Sequence, residues 1–223
     1  MYFPSDKLYT ETKSIKLGEK ACKTEFLKLA NWAEHKLNVT ILNASFSLKN
    51  RNTLPSLHII FEFQKDYNRL HGDPEYPYNQ KYNKLIASNF LRITEELKIA
   101  GFAYYQAEDF HMTYSVFSKI AIIECLNKLS KSDLNRIKEN YISEGLWEIS
   151  IHHGSATILY TTETEIESNK KSGINKEIEN KIKDLTLQYD EFSYIEKESI
   201  FFAYDSKENF DNKYKGNWYN YYR

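Results

Sequence analysis

The side chains of this 223-residue chain that could carry acid–base or metal chemistry are few: six histidines set among scattered carboxylates. Glu108, Asp109 and His111 fall almost together, and His152 and His153 are adjacent. Imidazoles and carboxylates can share proton transfer or ligate a divalent cation. Glu108, His111 and His152 are therefore the catalytic candidates, and a small metal-dependent hydrolase or nuclease is the activity they would support. Their spacing matches no metal motif. His152 alternates away from the Trp147, Ile149 and Ile151 face of a strand while His153 belongs to a turn, which predicts that the two rings diverge. A second set, His58, Glu62 and Gln64, occupies the polar positions of another alternating stretch, with His71 and Asp73 beyond it; a one-sided sheet exposes such residues to water. The sequence has no phosphate-binding Gly-rich loop, no Gly-x-Ser-x-Gly, no His-Glu-x-x-His and no Cys-x-x-Cys, patterns on which several large enzyme classes depend. The expectation leans away from catalysis, with no cofactor and no metal.

Recognition chemistry is better represented, with 18 Tyr, 13 Phe and 3 Trp. The stretch Asn68 to Asn83 carries His71-Gly72-Asp73-Pro74 and Pro77, turn residues that predict a long loop. Tyr76, Tyr78 and Tyr82 in that loop are candidates for partner binding, because an exposed phenol offers contact area and a hydrogen bond at little entropic cost. Glu163, Glu165 and Glu167 are further candidates: Glu163 to Glu198 holds ten acidic and six basic residues, and an acidic surface steers a cationic partner. Five of the last ten residues are aromatic. With Lys213, Lys215 and Arg223 they could stack and neutralise single-stranded nucleic acid, but the preferred reading is a final strand or turn that docks Trp218, Tyr219, Tyr221 and Tyr222 on a sheet.

Periodicity supplies the scaffold for these groups. Cys22, Phe26, Leu29, Ala33 and Leu37 form one helical stripe between Glu19 and Leu37, and Ile86, Phe90, Ile93 and Leu97 form another, with Gly101 placed to cap it. Two-residue alternation over Leu42–Leu48 and Leu57–Phe63 predicts a hairpin, and Trp147–Ile151 with Ala156–Tyr160 around His153-Gly154 predicts a second. Phe102–Tyr105, Met112–Phe117 and Ile200–Tyr204 read as strands, Ile120–Leu129 as a helix in preference to a continued strand, and Leu134, Ile137 and Tyr141 as a helix capped by Ser132 or Asp133. Thr162 to Gly173 is polar and charged, and Ile174, Ile178, Ile182 and Leu185 mark a further helix. The fold class is α+β, antiparallel hairpins backed by helices. The order helix, strand, strand, helix, strand occurs twice, which divides the chain into an N-terminal half, 1–129, and a C-terminal half, 130–223. Weak residue-by-residue similarity leaves duplication and recurrence of a common pattern equally open.

Lys+Arg 30 against Asp+Glu 31 gives a formal net charge of −1, which argues against a field that drives the chain onto nucleic acid or anionic membrane. No apolar run is long enough to span a bilayer and no export signal opens the sequence. A cytoplasmic protein with reduced thiols at Cys22 and Cys125 is expected.

Trp147-Glu148-Ile149-Ser150-Ile151 leading a hairpin, the charged helix after it, Phe201-Phe202-Ala203-Tyr204-Asp205 and the ending Lys215-Gly216-Asn217-Trp218-Tyr219 resemble small bacterial immunity proteins of the YezG type. The resemblance covers residues 132–223. It implies a cytoplasmic protein that binds and neutralises a toxin without catalysis of its own, and it transfers no site residue.

Overall fold

A computed structural model of the chain describes residues 3–48, 54–71 and 80–223. The fold is α+β and divides into two compact units, Met1–Ile120 and Ala121–Arg223.

In the N-terminal unit, helices α1 (Lys7–Lys16) and α2 (Thr24–Leu37) precede strands β1 (Ile41–Ser47) and β2 (Ser56–Phe61). Helices α3 (Gln64–His71) and α4 (Gln80–Glu96) and a 3₁₀ turn (Ala107–Asp109) lead to β3 (His111–Val116), which runs directly into α5 (Phe117–Asn127). β1 pairs antiparallel with β2 as the alternation predicts. β2, however, pairs with β3 in parallel, so the sheet is mixed rather than built of hairpins alone. Its rows Ala44–Ile59–Tyr114 and Phe46–Leu57–Met112 present one face to Phe26, Leu29 and Ala33 of α2 and to Ile86, Phe90 and Ile93 of α4. Phe90 is the centre of this core, with its ring 6.2 Å from Phe26, 5.8 Å from Phe46 and 5.6 Å from Phe102.

The C-terminal unit repeats the plan. After α5 come α6 (Lys131–Glu139), strands β4 (Leu146–His152) and β5 (Ser155–Tyr160), helices α7 (Glu163–Ser172) and α8 (Ile174–Leu187), strand β6 (Phe201–Ser206), and helices α9 (Lys207–Tyr214) and α10 (Trp218–Tyr221). β4 and β5 are antiparallel, β5 and β6 parallel. The correspondence reaches single bonds. Thr40 O accepts from Glu62 N at 2.9 Å, and Gly145 O from Thr161 N at 2.8 Å. Glu62 O accepts from Ser118 N at 3.0 Å, and Thr161 O from Glu208 N at 3.2 Å. The register slips between Ile41 and Asn43 in one sheet and between Leu146 and Glu148 in the other. Tyr114 OH donates to Asn83 on α4, as Tyr204 OH donates to Glu179 on α8.

Several local expectations are corrected. Phe102–Tyr105 is not a strand: Phe102 is buried while Tyr104, which would share its face, is 94% exposed, as a turn rather than a one-sided strand allows. Residues 68–71 and 80–83 of the expected loop are helical, and 72–79 lie outside the described residues. Thr162–Gly173 forms α7 because Thr162 and Glu165 make a capping box, which satisfies backbone donors at the helix start. α2 begins at Thr24 rather than Glu19. Helix α4 is closed by Lys98 rather than Gly101: Lys98 adopts φ 55, and Ile99 N reaches back to Thr94 O at 2.8 Å. The cap of α6 is Ser130, whose Oγ accepts from Asp133 N at 3.1 Å. The C-terminal segment is two short helices rather than a strand. Cys22 and Cys125 are not in a disulfide, and no helix among the described residues is long and apolar enough to cross a membrane.

The β4–β5 turn places His153 at φ 45 and Gly154 at φ 82, the two positive values of a type I′ turn. A methyl at Gly154 would also collide with Cγ1 and Cδ1 of Ile123 on α5. Gly154→Ala should cost about 1–3 kcal/mol; a urea midpoint equal to wild type would show that neither the turn nor the contact matters.

Candidate functional site

The carboxylates that suggested catalysis are engaged in local structure, and the imidazoles are spread over two units. In the N-terminal unit Glu108 is paired with Lys84 at 3.1 Å, and its carboxyl is held below the usual range by that hydrogen bond first. Asp109 Oδ2 accepts from Gln106 N at 2.7 Å to cap the 3₁₀ turn. His111 opens β3, its N–H donating to Pro55 O at 2.8 Å. His152 and His153 lie in the other unit, and their rings do not diverge: the centroids are 4.0 Å apart, because the tight turn folds His153 back beside the strand end. Among the described residues no group of three or more His, Cys, Asp or Glu is placed to hold a metal ion.

His58 has a different environment from the one alternation predicts. On the polar face of the first sheet its Nδ1 lies 2.7 Å from Thr113 Oγ1 and its Nε2 2.9 Å from Ser115 Oγ. A neutral ring can accept from one hydroxyl and donate to the other, and burial keeps it neutral by lowering its pKa.

Of the partner-binding candidates, Tyr76 and Tyr78 lie outside the described residues. Tyr82 is half-buried on α4 against the core of its unit. Glu165 spends its Oε2 on Thr162 N, 2.8 Å away, while Glu163 and Glu167, one turn apart on α7, are exposed.

The chain's most developed surface is built by its last residues. β6 ends at Ser206, whose Oγ caps α9 by accepting from Asn209 N at 2.9 Å. Lys215 and Gly216, both at positive φ, turn the chain, and Asn217 caps α10 through Tyr219 N at 2.9 Å. Phe210 is buried between Trp147, at 5.4 Å, and Trp218, at 4.5 Å. Trp147 and Trp218 are nearly parallel at 6.0 Å, Trp218 and Tyr222 at 5.7 Å, and Tyr222 lies 3.8 Å from the His152 ring. Two phenols pin the row to the sheet: Tyr222 OH donates to Ser150 Oγ at 2.6 Å, and Tyr221 OH to Asp205 Oδ2 at 2.7 Å. On this fixed base Trp218 stays 37% and Tyr219 71% exposed. Lys207 sits over Trp147 at 5.5 Å and Arg223 over Tyr219 at 6.0 Å. The Glu208 N to Thr161 O bond sets the start of α9 beside the chain that leads into α7, and Glu208 and Glu163 at those helix starts are exposed. Sequence density announced the rings; their anchors, Ser150 and Asp205, gave no local signal.

No family model matches the chain, and no curated protein or solved structure matches it.

His152 is held below its ordinary value by burial first and by His153 second. A base whose folded pKa is depressed stabilises the fold above its unfolded pKa, and that contribution is lost as pH falls. The stability advantage of wild type over His152→Asn should therefore shrink between about pH 7.5 and about pH 5. Urea melts followed by tryptophan fluorescence measure it; an advantage independent of pH would refute the coupling.

Proposed function

We propose that the protein is a non-catalytic, cytoplasmic binding protein whose C-terminal unit covers a basic site on a protein partner, most concretely a bacterial toxin, in the manner of an immunity-type inhibitor. The observation that carries this reading is the exposure of Trp218 and Tyr219 on a base already fixed by Trp147, Phe210, Ser150 and Asp205. Ordering a recognition surface costs binding energy, and a surface ordered beforehand avoids that loss. Trp and Tyr are also the side chains that dominate interface energetics when they enter a partner's pocket.

Charge supports the same reading. The C-terminal unit carries 18 acidic and 14 basic residues, and Glu163, Glu167 and Glu208 are exposed. These carboxylates would speed encounter with a cationic surface, while the rings set the residence time. The basic groups beside the rings, Lys207 and Arg223, would meet acidic residues at the rim of the same partner.

The test is capture of partners from the source cell's lysate and culture supernatant with wild type and with Trp218→Ala/Tyr219→Ala as paired baits, followed by affinity measurement on the purified partner. Wild type should hold one stoichiometric protein, and the double variant should bind it at least about thirtyfold more weakly, a loss of about 2 kcal/mol. A partner bound equally by both baits would exclude the aromatic row as the recognition surface.

A further inference from the structure

A cleft of about 520 Å³ lies in the N-terminal unit, remote in the chain from the aromatic row. The left-handed turn at Lys98 ends α4 and sends the chain back beside the helix, so that Leu91 on α4 faces Ile99 and Tyr105 on the returning segment. These three half-buried side chains form an apolar wall. Arg92, Glu95 and Lys98 line the same cleft from the polar side.

Arg92 is the organised member of that set. Its Nε and Nη2 both donate to Asn89 Oδ1, at 3.3 and 3.1 Å, and Asn89 is only 8% exposed. A buried amide thus orients a guanidinium that lines a cleft while the arginine side chain itself stays 62% exposed. Only Nη1 turns to another ion, Glu96 at 3.5 Å. A guanidinium so oriented suits the planar, two-oxygen face of a carboxylate or the oxygens of a sulfonate. The lining carries Arg92 and Lys98 against Glu95, and Glu96 on Nη1 offsets part of the Arg92 charge, so the positive charge left over is at most one, which favours a single negative charge over several. The volume falls in the range of small-molecule sites, which pair apolar walls with a few oriented polar groups.

We propose that this cleft binds a small organic monoanion with an apolar body, the body against Leu91, Ile99 and Tyr105 and the anionic group on Arg92 and Lys98. The site is independent of the partner surface described above.

The probes are the fluorescent monoanion 8-anilinonaphthalene-1-sulfonate and its neutral counterpart N-phenyl-1-naphthylamine, titrated into the full chain. One saturable sulfonate site is expected. Arg92→Ala and, separately, the exposed Lys98→Ala should each weaken the sulfonate about tenfold, the worth of one charge-assisted contact, while leaving the neutral probe within about twofold. Ala103→Trp, at another lining position, should block both probes. Thermal melts establish that each variant is folded; should Ala103→Trp not fold, the two charge variants decide alone. Sulfonate affinity unchanged in both charge variants, or no saturable binding to wild type, would overturn the proposal.

Discussion

The parallel pairing of each central strand with the third strand of its sheet is the constraint on which the rest of the architecture depends. A parallel partner cannot be reached through a tight turn; the chain must cross over the sheet first. In the N-terminal unit that crossover carries α3 and α4, in the C-terminal unit α7 and α8. Helices of the crossover cover one face of each sheet, and in both units the crossover is closed by the same bond, from the helix after the third strand to the residue after the second. In the C-terminal unit the chain beyond the third strand forms α9 and α10 and packs against the other face, where the bonds to Ser150 and Asp205 hold the aromatic row.

Much of this could be read from the sequence where burial is strong and one-sided. The stripes of α2 and α4 and both hairpins obey the periodicities that their buried faces impose. α1 escaped because only Tyr9 and Thr12 of its ten residues are buried, too few to leave a stripe. α7 escaped for the same reason, with Asn169 alone buried, although Thr162 and Glu165 stood at capping-box spacing. The third strands were recognisable as strands, but alternation does not encode direction, so their parallel pairing was not. The similarity of the halves was visible as an order of elements; the matching backbone bonds and strand pairings, which side-chain identity hardly constrains, were not.

The candidate site divides the same way. Trp218 and Tyr219 were conspicuous because aromatic density is a property of the sequence itself. Ser150 lies far from Tyr222 in the chain, and no spacing rule couples a serine on one strand to a phenol near the last residue. The opposite error arose with Glu108, Asp109 and Glu165. Carboxylates suggest chemistry in a sequence, yet here one neutralises a lysine and two cap the start of a helix. Capping demands a short, local acceptor, so clusters of acid near a helix start are ambiguous until the backbone is seen.

Helix α5 closes one unit and opens the next. Phe117 at its start stacks on Tyr9 at 5.1 Å, and Ser118 makes the bond that closes the first crossover. Ile123 lies against the β4–β5 turn, and Cys125 Sγ donates to Tyr189 O at 3.2 Å. The division between Ile120 and Ala121 therefore runs through a continuous helix. A fragment boundary placed at that division would cut α5 and leave its first turn on one fragment and the rest of the helix on the other.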